Sequence, residues 1–239
     1  MKKYFIALLA LGTIVSCNKK TEQNTGDYNL TIKGNVDGLK QGKLYFQKEI
    51  DSTLVTIDSV IVDGNSQFEK KFNLESPELM FLNIERHNSN NIDNSLVFFA
   101  EPGEMSINTT LEQFYYNAKI TGSKNHDLYE QYRQITSRYT NENTKLIGLN
   151  VLANKDKNTV RIDSIQKAAD KLTSQRYLAI ANFVKNNPDK EISALLLVDE
   201  IPNISKPILD SITKNITPEV LNSKYGKELQ KLLKLRENE

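Results

Sequence analysis

Hydrophobic residues along this chain change their spacing in stages. Tyr4 to Val15 form a short apolar run behind Lys2 and Lys3, and Asn18–Asp27 (NKKTEQNTGD) then contains no apolar residue. From Tyr28 the spacing is two. Tyr28, Leu30 and Ile32 alternate with Asn29, Thr31 and Lys33, the pattern of a half-buried strand. Gly34, Gly38 and Gly42 punctuate a turn before Leu44 and Phe46 open a second strand. Leu54–Val62 is β-branched and nearly continuous, and Asp63-Gly64 predicts a hairpin turn into Phe68 and Phe72. Lys70 falls between those phenylalanines and blurs the face they share. Pro77 precedes a strand over Leu79–Ile84, and the polar stretch Arg86–Asn94 separates it from Leu96–Ala100. Pro102-Gly103 turns the chain into Met105 and Ile107, and Ala118–Thr121 closes the series. A set of about 7–8 short strands divided by regular turn signals predicts an antiparallel sandwich or barrel.

After Gly122-Ser123 the spacing becomes helical. Leu128, Tyr132, Ile135 and Tyr139 lay one stripe, and Asn141–Lys145 either breaks that helix or forms its solvent face. Ile162, Ile165, Ala169 and Leu172 begin a second stripe, extended by Ile180, Ala181 and Val184 and ended before Asn187-Pro188. Ile192–Ile201 reads as a short buried helix, and Asn203 or Ser205 starts another. Thr217-Pro218-Glu219 is a cap, first-turn proline and acid opening the last helix. Strands first and helices afterwards make an α+β chain, an N-terminal antiparallel β-sandwich or barrel followed by a C-terminal helical bundle. The expected units are a leader over 1–16, an anchor and tether over 17–27, a β domain over 28–122 and a helical domain over 123–239.

The leader sets the expected address. Its apolar run is shorter than the roughly 20 residues a membrane span needs, so it reads as a cleaved signal. Ile14-Val15-Ser16-Cys17 reads as a lipobox, with cleavage between Ser16 and Cys17 and acylation of Cys17, the one cysteine in the chain. The bilayer is thus a partner through lipid on Cys17, and Lys19 and Lys20 lie near its headgroups. The expected address is the periplasm-facing side of the outer membrane, since similar lipoproteins exported to the cell surface carry acidic residues after the cysteine where this chain has Asn18-Lys19-Lys20. Nothing in a net charge of +1 with scattered lysines suggests a nucleic-acid surface. A lone cysteine excludes a disulfide, a CxxC pair or a thiolate metal site.

Ile57-Asp58-Ser59, Asp63-Gly64 with Phe68, Phe98-Phe99 with Gly103, and Gly122-Ser123 together carry a resemblance. The region resembles the domain of unknown function of Bacteroidetes envelope lipoproteins that often precedes a thioredoxin-like (TlpA/ResA-type) domain. Ile32–Gly34, Asn187-Pro188 and Ser223–Leu229 fit the same pattern. The resemblance implies the non-catalytic half of such a protein, since the chain stops at Glu239 with no CxxC to carry thiol–disulfide exchange. It also implies a separate thioredoxin-like envelope protein as a partner.

Other chemistry is thin. His87 and His126 have no HxH or HExxH spacing and read as surface-loop residues, with neither metal nor cofactor expected. There is no GxSxG for a serine nucleophile, and Glu101 and Glu104 read as solvated turn carboxylates. Tyr115-Tyr116 and Tyr129, Tyr132 and Tyr139 read as packing residues before groove residues. Asp51-Ser52-Thr53, Asp58-Ser59-Val60, Asp163-Ser164-Ile165 and Asp210-Ser211-Ile212 match an Asp-Ser/Thr-apolar O-glycosylation pattern. That makes Ser52, Ser59, Ser164 and Ser211 modification candidates, Ser52 and Ser211 first. The expected function is a non-enzymatic, membrane-anchored envelope module for binding or scaffolding. An accessory of a thioredoxin-like oxidoreductase and a hydrolase with a loop-assembled site are the alternatives.

Overall fold

A computed structural model describes residues 27–86 and 93–237. The leader, Ser16, Cys17, Lys19, Lys20 and His87 lie outside the described residues. The strands are β1 (Leu30–Asp37), β2 (Gln41–Ile50), β3 (Thr53–Asp63), β4 (Gln67–Phe72), β5 (Glu78–Glu85), β6 (Ser95–Ala100), β7 (Gly103–Thr110) and β8 (Lys119–Thr121). They form two four-stranded sheets, ordered β4-β1-β7-β8 and β3-β2-β5-β6. The result is a sandwich, not a barrel. The chain crosses between sheets repeatedly, so β1 and β7 meet in the same direction and pair in parallel while the other pairings are antiparallel.

Alternation builds the core. Leu30, Ile32 and Val36 of β1 face Leu44, Phe46, Met80, Leu82 and Phe98 of the other sheet, all fully buried. Asp63-Gly64 does not close a hairpin. β3 pairs with β2 and β4 with β1, so the turn hands the chain from one sheet to the other, and the Gly64 N–H donates to the Lys40 carbonyl at 2.8 Å. Lys70 shares the inward parity of Phe68 and Phe72, and its ammonium meets Asp58 of β3 at 2.9 Å across the open side of the sandwich. An inward charge at a sheet edge discourages edge-to-edge pairing. The β-branched run of β3 is itself an edge, largely exposed. Only Val62 of that strand is buried, whereas Ile61 is 78% exposed.

The helices are α1 (Lys124–Lys155), α2 (Thr159–Asn186), α3 (Glu191–Asp199), α4 (Lys206–Thr213), α5 (Pro218–Asn222) and α6 (Lys224–Leu235). Asn141–Lys145 does not break α1, because its residues simply face solvent. Thr217 caps α5, a single short helix, and Ser223 caps a separate α6 by accepting from the Gly226 N–H. α3 is apolar all round and buried over Glu191–Leu197, as a helix at the centre of a bundle must be. None of the described helices is long and apolar enough to cross a membrane.

Two adjacent phenylalanines join the halves. On β6, Phe98 points into the sandwich, and Phe99 points the opposite way into the helical core with Ile180, Leu196 and Tyr225. Both are fully buried. The second sheet is therefore a shared wall.

Candidate functional site

A cleft of about 700 Å³ opens where the β2–β3 turn, the β4–β5 loop, α3 and α6 meet. Its floor is Glu78, whose inward parity on β5 with Met80 and Leu82 leaves it 4% exposed. A carboxylate there requires partners. Lys48 Nζ donates to one oxygen at 3.1 Å and Lys224 Nζ to the other at 2.8 Å. Lys224 also donates to the Glu49 carbonyl at 3.2 Å, which pins the β2 end against α6. Beside it the Tyr225 hydroxyl accepts from the Leu79 N–H at 2.9 Å, and burial pushes that phenol's pKa up.

The rim is acidic, carrying Glu49, Asp51, Glu75, Asp199 and Glu228. Asp199 keeps one side in water, yet partial burial first, and then the charges of Glu228, Glu200 and Glu49, lift its carboxyl to about 6. The turn above the cleft is strained. Asp51 and Ser52 occupy φ +48° and +60°, positions that a two-residue hairpin turn usually gives to Asn and Gly. What the cleft offers is a fixed pattern of charge. Among the described residues no His, Cys, Asp or Glu group is arranged to hold a metal ion.

A second polar cluster lies at the joint between the sandwich and α1. Glu101 Oε2 accepts from Ser123 Oγ at 3.0 Å and from the Asn125 N–H at 3.0 Å, so it caps the first turn of α1. Asn125 Nδ2 donates to Glu191 at 3.0 Å, and its Oδ1 accepts from the Ile192 N–H at 3.1 Å. Burial raises the pKa of Glu191. Gly122 is required by this approach: at φ +94° a Cβ would lie 2.1 Å from the Glu104 carbonyl oxygen.

His126 is therefore not a surface-loop residue. Ser123 starts the helix early enough to place it in the first turn, 5% exposed, where Nδ1 accepts from the Phe99 N–H at 3.4 Å. Burial lowers its pKa. Glu101 is likewise a working cap, whereas Glu104 is exposed and pairs loosely with Lys33 at 3.9 Å. Tyr132 and Tyr139 are buried packing residues, Tyr129 is half-buried, and Tyr116 is open to solvent. The four candidate serines do not converge. Ser52 stands at the cleft rim, Ser59 is half-buried mid-strand on β3, and Ser164 and Ser211 are exposed on α2 and α4.

The cleft residues Lys48, Glu78, Asp199, Lys224 and Tyr225 come from four elements and have no local motif. One signal was present, namely a glutamate in register with the apolar face of a strand.

Residues 30–129 match the family model described as "Domain of unknown function (DUF4369)". That segment, the sandwich and the first turns of α1, is a domain of this uncharacterised family, as the resemblance implied. The residues that carried the resemblance have structural roles: Phe98 and Phe99 serve the two cores, and Gly122-Ser123 makes the tight start of α1. No curated protein matches the chain. A crystal structure of transthyretin from Sparus aurata aligns at 16% identity over 40% of this chain and 98% of that one, with a TM-score of 0.31, too low to inform fold or function.

Proposed function

We propose that this chain is a non-catalytic binding module of a bacterial cell envelope, held to the membrane by lipid on Cys17. Its cleft between the β2–β3 turn and α6 recognises a polar ligand or partner segment. The observation that carries this reading is the state of Glu78. Each Glu78 oxygen is held by an ammonium group, Lys48 on one side and Lys224 on the other, which fixes the carboxylate in place. The floor is thus a fixed electrostatic template under an acidic rim, an arrangement suited to recognition. The envelope address rests on Ile14-Val15-Ser16-Cys17 and the apolar run before it.

The test is affinity capture of the anchored protein from mildly solubilised envelopes of the producing organism, with bound species identified by mass spectrometry. A species recovered with the parent and lost with Asp51→Lys plus Glu228→Lys supports the cleft. Capture that is indifferent to those changes, or yields nothing reproducible, sinks it. Recovery of a CxxC thioredoxin-like protein would identify the partner and favour the accessory role. Cys17→Ala should move the protein from the membrane to the soluble fraction.

One observation favours a hydrolytic reading instead. Partial burial and then the charges of Glu228, Glu200 and Glu49 lift the Asp199 carboxyl in the cleft to about 6, within the range of a general acid. Turnover of any ester or glycoside substrate that disappears in Asp199→Asn would replace the binding reading.

A further inference from the structure

The distal halves of α1 and α2 project from the body as an arm. Beyond Tyr139 the one buried residue of α1 is Ala153, and before Ile180 the one buried residue of α2 is Ile165. This thin seam leaves large apolar side chains in water. Val160 is 81% exposed, Val151 64% and Ile147 57%, with Leu149 and Leu152 also open. Ile147 and Val151 share one face of α1, and Leu149 and Leu152 lie across the helix from them. Large aliphatic side chains gathered in water at one end of a helix pair mark a surface for contact.

The charges at the tip indicate what covers it. Lys155, Lys157 and Arg161 cluster around the turn against the single carboxylate Asp156. Further along, Glu142 neutralises Lys145 and Asp163 neutralises Lys167 at 3.1 and 2.8 Å. A second copy would bring a like-charged tip against this one, whereas an anionic surface attracts it. Exposed aliphatic side chains ringed by lysine and arginine are the composition of an interfacial membrane contact.

We infer that the α1–α2 arm docks on an anionic lipid surface, with Val151 and Val160 entering the interface and Lys155, Lys157 and Arg161 meeting the phosphates. Its reach rests on the anchored reading of Cys17, although its chemistry does not. The first pinned residue of the body is Asn29, whose carbonyl accepts from the Gly103 N–H at 2.8 Å. Two residues earlier, Glu101 caps the base of α1, so Asn29 and the base of the arm lie at one corner of the body. From Cys17 to Asn29 the chain spans at most about 40 Å, and the 32 residues of α1 are about 48 Å long. An anchored body therefore holds the arm's base within an arm's length of the bilayer, and tilting brings the tip down.

The experiment uses the mature chain with Cys17→Ser, which carries no acyl group. It is sedimented with vesicles of phosphatidylethanolamine and phosphatidylglycerol, and with vesicles of phosphatidylcholine alone. The chain should pellet with the anionic vesicles, and salt should weaken the binding. Lys155→Glu, Lys157→Glu and Arg161→Glu together should lower partitioning about a hundredfold, and Val151→Asp with Val160→Asp should also abolish pelleting. All five positions are exposed, so circular dichroism should be unchanged. Failure to pellet with anionic vesicles, or equal pelleting by the charge-reversed variant, overturns the inference. So does a dimer in sedimentation equilibrium that Val151→Asp dissolves, because a second copy would then cover the arm. The anchor reading is judged separately, by the mass of Cys17 on protein taken from envelopes.

Discussion

Asn125 occupies the first turn of α1 and joins three segments that are remote in sequence. Its side-chain N–H group bridges Glu101 of the β6–β7 turn to Glu191 of α3, and its side-chain oxygen accepts from the Ile192 N–H at the start of α3. Removing it leaves one buried carboxylate and one helix N–H short of a partner. Asn125→Ala should therefore lower unfolding free energy by about 2–4 kcal/mol in urea titration, more than the loss of one hydrogen bond. Asp199 makes the opposite case. Its folded-state pKa, about 6, lies above the 3.8 of an ordinary aspartate, so the folded chain binds the extra proton between those values. Stability from this group is thus present at low pH and falls as pH rises from about 4 to about 6. His126, with a lowered pKa, tilts the parent's curve the other way, losing stability as pH falls below its unfolded value. The two are separated by difference. Asp199→Asn should gain on the parent across that window and hold a lead of about 1 kcal/mol or less at pH 7, the partly wet site screening the effect.

At the scale of elements, the distal arm is the least supported part of the fold. Gly148 lies in it, with no atom within 4 Å of where a Cβ would be, and takes an ordinary helical conformation. Gly148→Ala should therefore stabilise the arm by about 0.5–1 kcal/mol, read as slower amide exchange over residues 140–178 with exchange in the sandwich unchanged. The arm also marks where the pattern of apolar residues could and could not be followed. Every strand and nearly every helix was legible, because a period of two or a capped stripe is a local property: Ser205, Thr217 and the stop at Asn187 all lie where their residues place them. The partners of those elements were not legible. Asp63-Gly64 has the chemistry of a hairpin turn, yet which sheet receives the next strand depends on β1, already in place far upstream. The apolar run of β3 likewise resembles a buried strand, and only its position at the edge of a sheet explains its exposure.

At the scale of the whole molecule, the two cores depend on each other unequally. The sandwich core closes on its own residues, from Leu30 to Phe114, and Phe98 is its contribution from β6. The helical core does not close. It takes Phe99 from β6, packs on Leu79 of β5, and seats Tyr225 edge-on against the Phe99 ring at 6.0 Å. The cleft inherits this arrangement, since Glu78 and Lys224 meet only when α6 is seated on β5, and that is why no stretch of sequence announced it. Phe99→Ala tests the asymmetry. It removes the largest side chain that the sheet lends to the helices and should cost about 3–5 kcal/mol, as aromatic truncations in cores do. The loss should fall on one side. Amides of Ile192–Leu197 in α3 should exchange faster by that full amount, whereas those of Leu30 and Ile32 in β1 should keep most of their protection. An equal loss in both would mean that the sandwich cannot stand without its helices and that the chain unfolds as one unit. The unequal loss would make the sandwich the foundation, with the helices and the cleft assembled on its outer wall.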